Sequence, residues 1–261
     1  MSEVLATLRA VIDEERLGAL ATVVSGDGVG ASAVVDFEQG LVVGKLPHDI
    51  LEDVVADSRV LMEQEKSRTL SYGDREVFIE TLAPPPRLII VGAVHVAEPL
   101  SQMAALVGFR VTVVDARSAF TTRERFPLAH EVLVGWPHEL YDQLDVDRRT
   151  YVVILSHDAR FEDPLLPLLL KSPVRYIGAM GSRRTHAKRT ERLRSTGWDE
   201  EAIERIFGPV GLDIGAESPE EIAVSILAEM VQVRYGSGTG KPLRGRSGRI
   251  HLQRVDDPGD D

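Results

Sequence analysis

The stretch Leu88-Ile89-Ile90-Val91-Gly92-Ala93-Val94-His95-Val96-Ala97 decides the fold. Four consecutive apolar residues, three of them β-branched, end on a glycine, and a segment with helical spacing opens at Ala97. A short apolar run of this kind, followed at once by a turn and a helix, is a buried strand entering a strand-turn-helix unit. In dinucleotide-binding folds the glycines of such a turn let a pyrophosphate approach the helix amides, and an acid at the end of the next strand takes a ribose hydroxyl. Asp115 stands at that second strand end. Val94 occupies the place where a second glycine would open the backbone, and it adds side-chain bulk there.

Downstream the pattern repeats. The runs Val111 to Val114, Val132 to Val134, Tyr151 to Leu155 and Val174 to Ile177 are separated by helical stretches such as Ala97 to Val107 and Arg183 to Ser195. Strands alternating with helices predict an α/β fold, a Rossmann-like doubly wound parallel sheet covered on both faces. Upstream, the run Pro84, Pro85, Pro86 can continue neither a central strand nor a helix interior, and it marks a domain border. Residues 1–83 read as a smaller α+β domain. Its helix runs from Glu3 to Arg16 and its strands cover Ala19 to Val24, Ala31 to Phe37, Leu41 to Val43 and Arg75 to Leu82, with a second helix from Pro47 to Lys66. Residues 87–235 form the Rossmann-like domain, and 236–261 are expected to be a loosely held tail rich in glycine, arginine and aspartate.

Composition narrows the function. Hydrophobic residues are 43% and charged residues 27%, as in a folded globular protein, and the net charge of -11 argues against nucleic acid or anionic lipid as a partner. No apolar run approaches a membrane span, and the acidic start MSEVLATLRAVIDEER lacks the pattern of a signal peptide, so a cytoplasmic location is expected. With no cysteine, the chain holds no disulfide, no thiolate metal site and no persulfide of its own.

Ligands of doubly wound sheets bind beyond the carboxyl ends of the strands. Four ends carry signals here. The first is the turn of Gly92, Val94 and His95, with Asp115 and Arg117 opposite it. The second is Ser156-His157-Asp158, a polar strand end rather than a hydrolytic triad, because adjacent residues point in different directions. The third runs from Gly178 through Gly181, Ser182 and Arg183 to Arg184. Ser182 is a good N-cap, but two arginines in the first turn oppose the helix dipole, a conflict that a bound phosphate removes. The competing reading is a solvated basic face continuing through Lys188, Arg189, Arg192 and Arg194. The fourth is the glycine loop from Gly208 to Gly215, followed by the capping box Ser218-Pro219-Glu220-Glu221. No catalytic residue and no metal-ligand set declares itself.

LIIVGAVHVAEPL with GFRVTVVDAR, then VVILSHD, YIGAMGSRRTHAKR and GPVGLDIGAESPEEIAVSILAEM, in this order and spacing, resemble the C-terminal domain of the XdhC/CoxI family. The resemblance covers Leu88 to Tyr235. It implies an accessory protein that binds molybdenum cofactor, a pterin bearing a phosphate, assists its sulfuration and delivers it to an apo-enzyme such as xanthine dehydrogenase. A cysteine desulfurase and a homodimeric assembly follow as expected partners. The chain departs from the family pattern at Val94, within its GxGHVA, and in the N-terminal region, where VGKLPHDI stands in place of a cysteine motif. Two other readings stay open: an NAD(P)-dependent oxidoreductase, and a non-catalytic interaction protein with an empty crevice.

Overall fold

The computed structural model describes residues 3–156, 158–236 and 238–245. The chain divides into two compact units, with the border between Pro84 and Pro85. Of the expected tail, residues 246–261 lie outside the described residues, and Leu243–Gly245 is a single 3-10 turn.

The first unit comprises helix α1 (Glu3–Asp13), strands β1 (Gly18–Ser25), β2 (Ser32–Asp36) and β3 (Leu41–Lys45), helix α2 (Leu51–Glu63), and strands β4 (Arg68–Tyr72) and β5 (Arg75–Leu82). The strands form one antiparallel sheet in the order β3-β2-β1-β5-β4. Ala19, Ala21, Val23, Val77 and Ile79 alternate onto one face of it and bury Val54, Leu61 and Met62 of α2. Helix α2 is shorter than its sequence pattern, because the chain from Pro47 makes a turn closed by Ile50 N–H to the Pro47 carbonyl. Strand β4 has no clear sequence signal. It pairs with β5 across Gly73-Asp74, and Gly73 takes the positive φ of +67° that a two-residue hairpin requires at its first central position.

The second unit carries strands β6 (Arg87–Val91), β7 (Arg110–Asp115), β8 (Glu131–Val134), β9 (Thr150–Ile154), β10 (Tyr176–Ala179) and β11 (Ile206–Phe207). Helices α3 (Ala97–Leu106), α4 (Ala159–Lys171), α5 (Arg183–Ser195), α6 (Glu200–Glu204) and α7 (Pro219–Tyr235) connect or follow them. The sheet order is β11-β10-β9-β6-β7-β8, and every neighbouring pair is parallel. Counted from β6, this is the 3-2-1-4-5-6 order of a Rossmann fold, whose strand order reverses between β6 and β9.

Alternation within the strands builds the two covered faces. Leu88, Ile90, Val111, Val113 and Val153 pack on Leu100 and Ala104 of α3 and on Ala223, Ile226 and Met230 of α7. Ile89, Val91, Val152 and Ile154 pack instead on Phe161, Leu165 and Leu169 of α4 and Leu193 of α5. Helix α4 forms despite Pro164 and Pro167 in its interior, each of which removes an intrahelical donor at a cost of about 3 kcal/mol. Burying Phe161, Leu165, Leu166, Leu169 and Leu170 along one stripe offsets that cost at roughly 1.5–3 kcal/mol per side chain. The last long strand lies two residues beyond the start of the apolar run Val174 to Ile177, because Val174 packs before the ladder begins at Tyr176.

Candidate functional site

The strand order reverses between β6 and β9, the point at which doubly wound sheets open a ligand crevice beyond the strands' carboxyl ends. Its floor is main chain. Gly92 has φ +104°, and a Cβ placed there would lie 3.0 Å from the Ser156 amide nitrogen, so only glycine lets the end of β6 meet the end of β9. Ser156 is 7% exposed, and its hydroxyl accepts the Asp158 amide at 3.2 Å. His157 lies outside the described residues. Asp158 is the N-cap of α4: it accepts the Arg160 amide at 2.9 Å, and the Arg160 guanidinium holds both its oxygens. That guanidinium, with the Arg160 amide, keeps the Asp158 carboxyl below its usual range.

One wall is the turn from Ala93 to Val96. Val94 turns partly into the core rather than standing wholly in the turn, and His95 is exposed. Asp115 stands behind this turn with 0% exposure. Its carboxylate accepts the Ala93 amide at 2.7 Å, the Arg117 amide at 2.9 Å, and two guanidinium nitrogens of Arg117 at 2.9 and 2.7 Å. Burial pushes the Asp115 carboxyl up, but the Arg117 guanidinium and the amides of Arg117 and Ala93 bring it below its ordinary value. Asp115 thus stands behind the turn rather than on its surface. A fully enclosed carboxylate whose oxygens are taken offers nothing to a ribose hydroxyl; it positions the turn and Arg117. Arg117 itself is half exposed.

Beside that wall is a cavity of about 500 Å³ lined by Ala93, Val94, His95, Glu98, Arg117, Ala119, Phe120 and Arg125. The guanidinium carbons of Arg117 and Arg125 lie 4.7 and 5.7 Å from the centre of the exposed Phe120 ring. Arg125 donates to the carbonyls of Ala93 and Phe120 and to Glu98, which fixes the loop against the turn. Sequence reasoning misses Phe120, Glu98 and Arg125. The signal that could have found Phe120 and Arg125 is the long connection 116–130 after a strand's carboxyl end, a length that often carries function; Glu98, in the first turn of α3, gives no such signal.

The opposite wall follows β10. Gly181 has φ +140°, and a Cβ there would meet the Thr185 side chain at 2.9 Å. The Ser182 hydroxyl accepts the Thr185 amide at 3.1 Å and so caps α5. Arg183 and Arg184 are exposed and form no ion pair among the described residues. The basic helix is not a solvated face throughout: Arg189 is 1% exposed and grips Glu162, itself 3% exposed, through two bonds of 3.1 and 2.6 Å. Arg189 also donates to the Met180 carbonyl at 2.9 Å, tying the end of β10 to α4. Gly178 does not reach the crevice. It lies within β10, where a Cβ would collide with Val210 at 2.6 Å and Tyr176 at 2.7 Å. The loop from Gly208 is likewise held from behind, by Glu229 accepting the Gly211 amide and the Tyr176 hydroxyl and by Ser225 donating to the Leu212 carbonyl. The capping box is present, with Ser218 and Glu221 each accepting the other's amide. A larger hollow of about 680 Å³ lies between α4 and α5, lined by Leu166, Leu193 and Trp198, and belongs to the far ends of those helices rather than to the switch point.

The family model of the XdhC Rossmann domain matches residues 88–230. The chain is 37% identical over 158 residues to a probable xanthine dehydrogenase subunit of Bacillus subtilis (strain 168), covering 60% of this chain and 46% of that protein. It is 32% identical over 225 residues to the uncharacterized protein YqeB of Escherichia coli (strain K12), covering 78% and 41%. It is 31% identical over 151 residues to the molybdenum cofactor insertion chaperone PaoD of Escherichia coli (strain K12), covering 58% and 41%. The chain thus spans less than half the length of these curated relatives. A crystal structure described as a xanthine dehydrogenase from Bacillus halodurans shares the fold with a TM-score of 0.54 at 21% identity, over 93% of this chain and 98% of that one. No helix among the described residues is long and apolar enough to cross a membrane.

Proposed function

The chain belongs to the XdhC family, and on that footing we propose that it is an accessory protein of a molybdenum hydroxylase, which binds molybdenum cofactor in the switch-point crevice and releases it to the apo-enzyme. The observation that carries this reading is a main-chain floor at Gly92 and Ser156 with exposed guanidinium groups, Arg117 and Arg183, on the two walls. The relative named as a molybdenum cofactor insertion chaperone supports the choice of cargo.

The donor chemistry fits one end of that cargo. A phosphate suits exposed guanidinium groups. The metal and its sulfur find no thiolate, because the chain has no cysteine, and no cluster of three or more His, Asp or Glu stands among the described residues. On this reading the chain holds and releases its cargo: Gly92, Val94, His95 and Ser156 shape the seat, Asp115 and Asp158 fix its edges, and Arg117, Ser182 and Arg183 line its walls. Sulfur for the cofactor comes from a partner cysteine desulfurase. A nicotinamide role loses its main residue, since Asp115 is enclosed. The protein works as a homodimer in the cytoplasm.

Native mass spectrometry of protein purified from cells that make the cofactor tests this. A retained pterin mass on a dimer is expected. Retained NAD(P), or an empty protein that neither takes up purified cofactor nor activates an apo-hydroxylase, overturns it.

A further inference from the structure

The cavity beside the first turn sits where a dinucleotide-binding fold reads the two hydroxyls of a ribose. Reading a diol needs a carboxylate within reach, and this chain has withdrawn its own. Asp115 is wholly buried, and four donors occupy its two oxygens. What faces outward instead is the guanidinium of Arg117, 49% exposed, with two of its three nitrogens on Asp115 and the third, Nη1, left over. The bidentate grip fixes the plane of that guanidinium. Phe120, 4.7 Å from its carbon, covers one of its faces, so the remaining donor is aimed by two contacts rather than by one flexible stem. Arg125 is not a second donor of this kind: Glu98 and the carbonyls of Ala93 and Phe120 use it to hold the cavity in shape.

We propose that the Asp115–Arg117 pair converts the sugar-reading corner of this fold into a phosphomonoester subsite, and that Arg117, rather than Arg183, is the group that anchors the anionic end of the cargo. The inference rests on the carrier reading above and assigns one end of it. Arg183 is exposed on the first turn of its helix with no ion pair among the described residues to aim it, and its neighbour Ser182 has its hydroxyl committed to Thr185. Arg117 has a concave, preorganised surround, and preorganisation is what turns a guanidinium into a binding group. The buried carboxylate has a second effect: it cancels part of the charge, so the subsite holds an anion loosely enough to give it up, as a carrier must.

Isothermal titration with inorganic phosphate, on the full chain, tests the assignment against NAD as the ribose-bearing probe. The unsubstituted chain is expected to bind phosphate and not NAD. Arg117→Gln is expected to weaken phosphate at least about tenfold, the loss of one charge-assisted bond, and Arg183→Ala less than about twofold. Arg117→Lys keeps the charge but cannot grip Asp115 with two nitrogens, and an intermediate loss separates aim from charge; it also serves if Arg117→Gln does not fold. Phosphate affinity unchanged in both Arg117 variants, the larger loss falling on Arg183→Ala, or no phosphate binding by the unsubstituted chain overturns the assignment. In each of those cases a pterin retained in mass spectrometry leaves the carrier reading standing, while NAD binding sinks both.

Discussion

Two arginine-carboxylate pairs lie in the same unit and differ in one respect. Asp115 and Arg117 combine a buried acid with a half-exposed base; Glu162 and Arg189 are both buried. Each pair ties a strand end to its surroundings, the first through the Ala93 amide and the second through the Met180 carbonyl. Exposure of the guanidinium is what separates a strut from a binding group. A pair closed on both sides can only hold structure, whereas one open on the basic side can hold structure and still meet an anion.

Substitutions put that contrast at risk in measurable ways. Glu162→Ala leaves a buried guanidinium without its partner, and urea denaturation is expected to show a loss of about 3–5 kcal/mol. Gly92→Ala comes next, at about 1–3 kcal/mol, because φ +104° and the Ser156 amide leave no room for a methyl group. Arg117→Gln should cost only about 1 kcal/mol, since the Ala93 amide and the amide of position 117 still serve Asp115 and the guanidinium was half in water. Equal losses for Glu162→Ala and Arg117→Gln in the same denaturation series would erase the distinction.

The smallest effects are in pH. The folded Asp115 carboxyl is depressed, so its contribution is complete above about pH 4 and fades as pH falls below the unfolded value. His186, packed on Gly208 and near Arg189, is lowered by burial and then by that arginine. Its neutral form suits the fold, so stability is full above about pH 6.5 and declines as pH drops through that value. Denaturation midpoints between pH 8 and pH 5 should fall less for His186→Gln than for the unsubstituted chain.

Much of this was legible in the residues. The apolar runs before Gly92, Asp115 and Ser156 located three strand ends, and the Ser182 and Ser218 caps stood where the helices begin. Helix α4 was hidden by its prolines, β4 and β11 by short or weakly patterned stretches. The site was less readable because its chemistry depends on which side of a residue faces in. Asp115 looks free in sequence and is enclosed. Arg189 looks like one more surface arginine until a partner 27 positions away is brought to it. Phe120 and Arg125 acquire meaning only when the connection they belong to folds back over the turn.

The floor of the crevice, made where Gly92 passes Ser156, bears on how such proteins diverge. Its atoms are mostly main chain, which substitution does not alter as long as the glycine stays. The walls are side chains from separate loops, free to change one at a time. If the seat holds a cargo as proposed, a lineage built on it could trade one cargo for another by rewriting Arg117 or Phe120, with the platform underneath left untouched.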